Sequence, residues 1–174
     1  YCKHDYLIET INKNIIFSRT DLLGNIIDVS DAFCNISGYT KDELIGQTQS
    51  IIKHPDMEDI IFADMWNTIS QELTWNGDIK NLNKNGSYFW VNTNIEPYYD
   101  VNKNHIGYTA MSKDIAAQKE VERLNYSLEL KVEERTKNLA IAKKATEELH
   151  KNTRESIDYA SLIQSSLVPS HKLF

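Results

Sequence analysis

Through the first two thirds of the chain, apolar residues come in short runs broken by turn formers, and near residue 115 this pattern gives way to spacings of three and four. The segments NIIFSRTD and NIIDVS, parted by LLGN, predict two strands of a hairpin. Before them Leu7, Ile8 and Ile11 share one face of a short opening helix. After them come short helical pieces. Ser30 or Asp31 can cap DAFCNIS, and Thr40 with Glu43 three residues on makes a capping box over KDEL. From Met57 to Leu73, the spacing of Phe62, Trp66, Ile69 and Leu73 predicts a longer amphipathic helix, with Pro55 in its first turn and Asp56 able to cap it. The strands WNGDIKNLN and SYFWVNTNIEP then flank KNG, and HIGYTAMSKDI closes the set. Two strands, small helices, one longer helix and three strands predict an α+β fold, a five-stranded antiparallel sheet with short helices on one face.

Alternation places Trp75, Gly77, Ile79 and Asn81 on one face of their strand, and that face is the interior. If Asn85-Gly86 is a two-residue turn, Asn81 pairs with Trp90, Ile79 with Asn92 and Gly77 with Asn94. Asn81, Asn92 and Asn94 then face inward, and Phe89, Val91 and Ile95 point out to a surface that the opening helix and a second copy of the chain would cover. Three buried amides would call for a polar ligand, trapped water or bonds to helix backbones. A longer loop slips the register by one and inverts the face.

All six glycines lie before residue 108, and from Tyr108 to Val168 there is neither glycine nor proline. That stretch is built to stay helical. Val121, Leu124, Leu128, Val132, Leu139, Ala142, Thr146 and Leu149 recur three or four apart as a coiled-coil seam with one stutter, and Glu133–Lys137 and Glu147–Lys151 add i,i+4 pairs outside it. A parallel homodimer is expected, held by the opening helix and this seam; a single helix folded back on the domain is the alternative. The parts are a flanking helix at 1–13, a folded domain at 14–115, a signalling helix at 116–152 and a helical lead-in at 153–174.

The 174 residues are 41% hydrophobic and 25% charged, with a net charge of −6. Residues 1–115 hold 9 Lys/Arg against 16 Asp/Glu, and 116–174 hold 10 against 9. No basic stripe suits a nucleic acid. No apolar run approaches the roughly 18 residues of a membrane span, so no membrane contact and a cytoplasmic setting are expected. An opening residue other than Met is expected of a piece cut from a longer protein. Cys2 and Cys34 offer neither zinc spacing nor a disulfide framework. No nucleophile elbow, P-loop or metal-binding histidine pair appears, so no enzyme activity is expected of this segment.

The order of elements, with SRTDLLGNIIDVSDAFCNISGYTKDELIGQ, KHPDMEDIIFADMWNTI, TWNGDIKNLNKNGSYFWVNTNIEP and GYTAMSKDIAAQK, resembles a PAS sensory domain of the aerotaxis-receptor branch, which carries the HPDM motif and binds FAD. The resemblance implies a sensor. It marks Lys53, His54 and Asp56 of the motif, with Trp75 and Asn81, as cofactor-binding candidates. Trp75 would stack on or edge the flavin ring, Asn81 would bond its polar edge, and Lys53 would meet the diphosphate. Two positions depart from the branch: Gln49 replaces a histidine and Lys53 replaces an arginine, which loses bidentate phosphate geometry. Another small ligand, an empty core that serves as a dimerisation scaffold, and haem on His54 are the alternatives. The cysteine signature of light-sensing flavin adducts is missing. Asp114 matches the acidic residue of the family's closing motif and should anchor the helix junction. LELKVEERTKNL resembles a signalling helix, and ESIDYASLIQSSLVPS resembles the lead-in to PPM-type serine phosphatases. That implies such an effector beyond Phe174; a kinase or cyclase is the other option.

Overall fold

The computed structural model describes residues 3–167. Its elements are α1 (Lys3–Asn14), β1 (Ile16–Asp21), β2 (Ile26–Val29), α2 (Asp31–Ser37), α3 (Lys41–Leu44), a 3-10 turn (Gln49–Ile52), α4 (Asp59–Ile69), β3 (Trp75–Leu82), β4 (Tyr88–Tyr99), β5 (His105–Asp114) and α5 (Ala116–Leu167). The strands form one antiparallel sheet in the order β2-β1-β5-β4-β3. With its helices this is the expected α+β architecture. The chain divides into two units, Tyr1–Glu120 and a second from Val121 on.

Side-chain caps set the short helices. Ser30 Oγ accepts from the backbone N–H of Phe33 at 3.1 Å, capping α2, and from that of Phe17 at 3.0 Å, tying the cap to β1. Glu43 Oε2 accepts from the Thr40 N–H at 3.0 Å, the returning half of the expected capping box. The core has two parts. Ile26, Val29, Phe33, Leu44 and Ile52 pack at the β1–β2 end. Met57, Ile69, Trp75, Ile79, Phe89, Val91, Ile95 and Tyr108 pack between α4 and strands β3 to β5.

The β3–β4 register differs from the two-residue-turn expectation by one residue. Asn81 pairs with Phe89, Ile79 with Val91 and Gly77 with Thr93. The Asn83 N–H donates to the Ser87 carbonyl at 2.7 Å and the Gly86 N–H to the Asn83 carbonyl at 2.9 Å, with Gly86 at φ 86°. Gly86 thus occupies the third place of a three-residue loop, the left-handed position of a bulged hairpin. One extra residue inverts β4. Phe89, Val91, Thr93 and Ile95 are buried, whereas Asn92 and Asn94 lie on the other face. Asn81 keeps its inward place.

Three other expectations change. α4 starts at Asp59, with Glu58 in the N-cap position, and ends at Ile69, so Leu73 lies beyond it and exposed. Asp56 does not cap it. Its carboxylate is drawn to Lys80 on β3 instead, at 2.7 Å. The opening helix α1 lies against α2, and the Asn12 Oδ1 accepts from the Asp31 N–H at 3.2 Å; Leu7, Ile8 and Ile11 remain exposed.

In the second unit the seam residues Val121, Leu124, Leu128, Val132, Leu139 and Leu149 are all exposed. Glu147 pairs with Lys143 rather than Lys151, and Lys151 reaches Glu155, both at 3.9 Å. Among the described residues Glu133 and Lys137 form no ion pair. No described helix is long and apolar enough to cross a membrane. The seven residues after Leu167, the end of the lead-in, lie outside the described part, as does Cys2.

Candidate functional site

A cavity of about 370 Å³ lies between α4 and the inner face of the sheet. Small-molecule sites run from about 300 to 1,000 Å³. Phe62, Met65, Trp66 and Ile69 of α4 line one side, and Ile79, Ile95, Tyr108 and Ala110 of the sheet line the other. Polar groups are set into this apolar frame. Ser18 and Thr20 come from β1, Thr93 from β4, Ser112 from β5 and Asn81 from β3, while Gln49 and Lys53 approach from the segment before α4.

Some of these groups satisfy one another. Gln49 Nε2 donates to Ser18 Oγ at 2.9 Å, and the Thr93 and Ser112 hydroxyls share a hydrogen bond of 2.8 Å. Asn81 is different. It is 8% exposed, lines the cavity, and its side-chain amide has no hydrogen-bond partner among the described residues. Its amide atoms keep access to the cavity, since the fully enclosed side-chain nitrogen without a partner among the described residues is Arg19 Nε. The Thr20 hydroxyl, equally buried, is also without a partner among the described residues.

Of the residues marked by the sequence, Lys53 and Asn81 come together. Their backbones form an isolated antiparallel bridge, so the chain before α4 covers part of the free edge of β3. Met57 extends this cover, its sulfur accepting from the Lys80 N–H at 3.3 Å. Lys53 sits at the cavity's rim, its ammonium 2.7 Å from Asp59 Oδ1 and 4.6 Å from the centre of the Phe62 ring. That ammonium holds the Asp59 carboxyl below its usual range.

His54, Asp56 and Trp75 lie outside the cavity lining. His54 is mostly buried; its Nδ1 accepts from the Asp56 N–H at 3.1 Å and its ring meets Tyr88 edge-on at 5.9 Å. The Asp56 carboxyl is held low by its hydrogen bond from Lys80. The three residues His54, Asp56 and Lys80 pin the motif's loop to the edge strand. Trp75 is a core residue whose indole N–H donates to Asp64 Oδ2 at 2.9 Å, fixing α4 to β3. Its ring lies over Gly77, where a Cβ would overlap it.

The hydroxyl positions Ser18, Thr20, Thr93 and Ser112 were not foreseen. In β1 the signal was faint: Ser18 and Thr20 share parity with Ile16, but small polar residues at alternate positions read equally well as a solvated face. Cys34 is on α2, away from the cavity lining, and burial pushes its thiol pKa up. No histidine and no carboxylate lines the cavity. Among the described residues no cluster of three His, Cys, Asp or Glu is arranged to hold a metal.

The PAS domain family model matches residues 13–117, which hold the sheet, α4 and the cavity between them. The chain belongs to the PAS domain family. Among its relatives, the aerotaxis receptor of Escherichia coli (strain K12) is 44% identical over 82 residues, 47% of this chain and 16% of that protein. The blue-light photoreceptor of Listeria innocua serovar 6a is 33% identical over 134 residues, 75% of this chain and 51% of that protein. The chain therefore spans about half or less of these relatives. Among solved structures, the PAS domain of a protein from Colwellia psychrerythraea matches with a TM-score of 0.58 at 24% identity, covering 66% of this chain and 96% of that one.

Proposed function

We propose that this chain is a sensory module that takes a small planar ligand into the cavity beside Asn81 and passes its state through a dimeric coiled coil to an effector at its C-terminal end. The observation that carries this reading is the Asn81 amide, nine-tenths buried, aimed into a cavity and unmatched. A ligand with a donor–acceptor edge would match both ends of it. Thr20, Ser18 and the free carbonyl end of Gln49 would receive the rest of such an edge, with α4 stacked on the ring's opposite face.

Flavin fits this donor set, and the 44% identity to an aerotaxis receptor supports placing the chain in that branch. Asn81 and Gln49 would bond the ring's polar edge, and Phe62 and Met65 would exclude water from its face. Lys53 is the one cationic group in the lining and would take a phosphate only by releasing Asp59. When bound, a flavin supplies a ring whose charge and protonation change on reduction. Asn81 would feel that change through its hydrogen bonds and carry it to β3. Trp75 and His54 would position this frame from outside, Trp75 through α4 and His54 through the loop with Asp56. Haem does not fit, since no histidine lines the cavity. A cysteine adduct to a flavin does not fit either, because Cys34 is elsewhere.

The exposed apolar seam of α5 and the exposed Leu7, Ile8 and Ile11 of α1 support a parallel homodimer. The part boundaries at 13, 115 and 152, a PPM-type serine phosphatase as effector, and a cytoplasmic setting belong to the same reading. The spectrum of the protein as purified tests it: absorbance near 450 nm (about the flavin band) that reduction bleaches is expected. A colourless protein that also fails to bind added FAD or riboflavin contradicts the flavin assignment.

A further inference from the structure

The outer face of β3 carries a group tied to the start of α5. Asp78 Oδ2 accepts from Lys119 Nζ at 2.8 Å, and its other oxygen accepts from Asn92 Nδ2 at 2.8 Å. Asn92 is held in turn by Asn76 Nδ2 at 3.1 Å. Both carboxylate oxygens are engaged, and the pair is partly shielded, which strengthens it over a fully exposed one. The Lys119 ammonium lies 5.3 Å from the Trp90 ring centre. The Ile115 N–H donates to the Trp90 carbonyl at 3.0 Å, and Asp114 Oδ1 accepts from the Ala116 N–H at 2.8 Å, capping the helix. The first turn of α5 is therefore fastened to β4 by backbone and to β3 through the Asp78–Lys119 pair.

Asp78 is flanked in sequence by Gly77 and Ile79, and Ile79 and Asn81 form part of the cavity wall on the opposite face. Beyond its ladder with β4, β3 is an edge strand met by the Lys53–Met57 segment. Of the strands that line the cavity, it is the one at the edge of the sheet, laddered to a single neighbour. We infer that the Asp78–Lys119 pair is the latch by which occupancy of the cavity is read by α5. A ligand pressing on Ile79 and Asn81 displaces β3, separates Asp78 from Lys119 and loosens the first turns of the helix.

This inference rests on the reading of the cavity as a ligand site, so its test uses a substitution in place of a ligand. Ala110 lines the cavity from β5, and Ala110→Leu puts bulk into it. Hydrogen exchange is followed at the amides of residues 119–124, the first of which, Lys119, donates within the helix to Ile115 at 2.9 Å. In the otherwise native chain Ala110→Leu should speed exchange there roughly fivefold or more, the lower end of coupling between sites. In Lys119→Met the exchange should already be fast, and adding Ala110→Leu should change it no further. Lys119→Arg should keep the response. Ala110→Val serves if the leucine does not fold.

Equal responses with and without Lys119→Met overturn the latch, as does no response in the native chain. Exchange in β3 reports whether the cavity was perturbed. A parallel titration with riboflavin separates the two ideas, since failure to bind it removes the flavin reading and leaves the exchange result standing.

Discussion

Asn81 is expected to contribute little to the stability of the ligand-free protein, because its amide lines the cavity and bonds no described residue. Asn81→Leu should then leave the ligand-free fold unchanged or more stable by about 1 kcal/mol in urea unfolding, while removing the proposed recognition group. A clear loss of stability in that variant would mean the amide has an internal role. Glu43 gives a second test at this scale. Its hydrogen bond from Lys84, aided by the Thr40 N–H, pushes its pKa down to about 2. A depressed carboxyl contributes stability that is complete above its unfolded value of about 4.3 and lost as pH falls toward its folded value. Glu43→Gln should therefore flatten the acid limb of a thermal-midpoint curve between about pH 4.5 and 2. Gly107 is the least replaceable glycine, since a Cβ there would overlap the Thr20 backbone carbonyl across β1 and β5. Gly107→Ala should cost more in urea unfolding than Gly77→Ala, where the obstruction is the Trp75 side chain.

Elements were read from the sequence more securely than their register. Hydrophobic period and turn residues placed all five strands, and Ser30 and the Thr40–Glu43 pair marked two helix starts. What stayed hidden was whether Gly86 takes the second or the third place in its loop. Both choices satisfy the same Asn-Gly signal, yet they send Val91 or Asn92 inward. Asp56 was misread as a cap for a similar reason. A carboxylate before a helix serves either as cap or as ion-pair partner, and only the fold brings Lys80 within 2.7 Å. The cavity was half legible: strand parity put Asn81 inside, but the hydroxyls of β1, β4 and β5 meet only when the sheet assembles. For α5, the exposed seam predicts that Leu124→Ser combined with Leu128→Ser halves the mass seen by light scattering after size exclusion. A monomeric mass in the native chain would instead remove the coiled-coil dimer.

At the scale of the whole molecule, the sheet has two working faces. Its inner face and α4 enclose the cavity, and its outer face holds the base of α5 through Asp78 and Trp90. β3 contributes to both. On the proposed function, a ligand and a helix would bias one strand without touching each other. The HPDM segment has a supporting place in this scheme, closing the edge of β3 through Lys53, Met57 and the Asp56–Lys80 pair. The proposed sensing requires that the cavity beside Asn81 take a ligand. Titration of the full chain with FAD, followed by quenching of flavin fluorescence, tests this directly. Saturable binding of about one flavin per chain is predicted, weakened roughly tenfold or more by Asn81→Ala, the loss expected for a hydrogen-bonded edge. Absence of binding, or equal affinity in the two proteins, would contradict it.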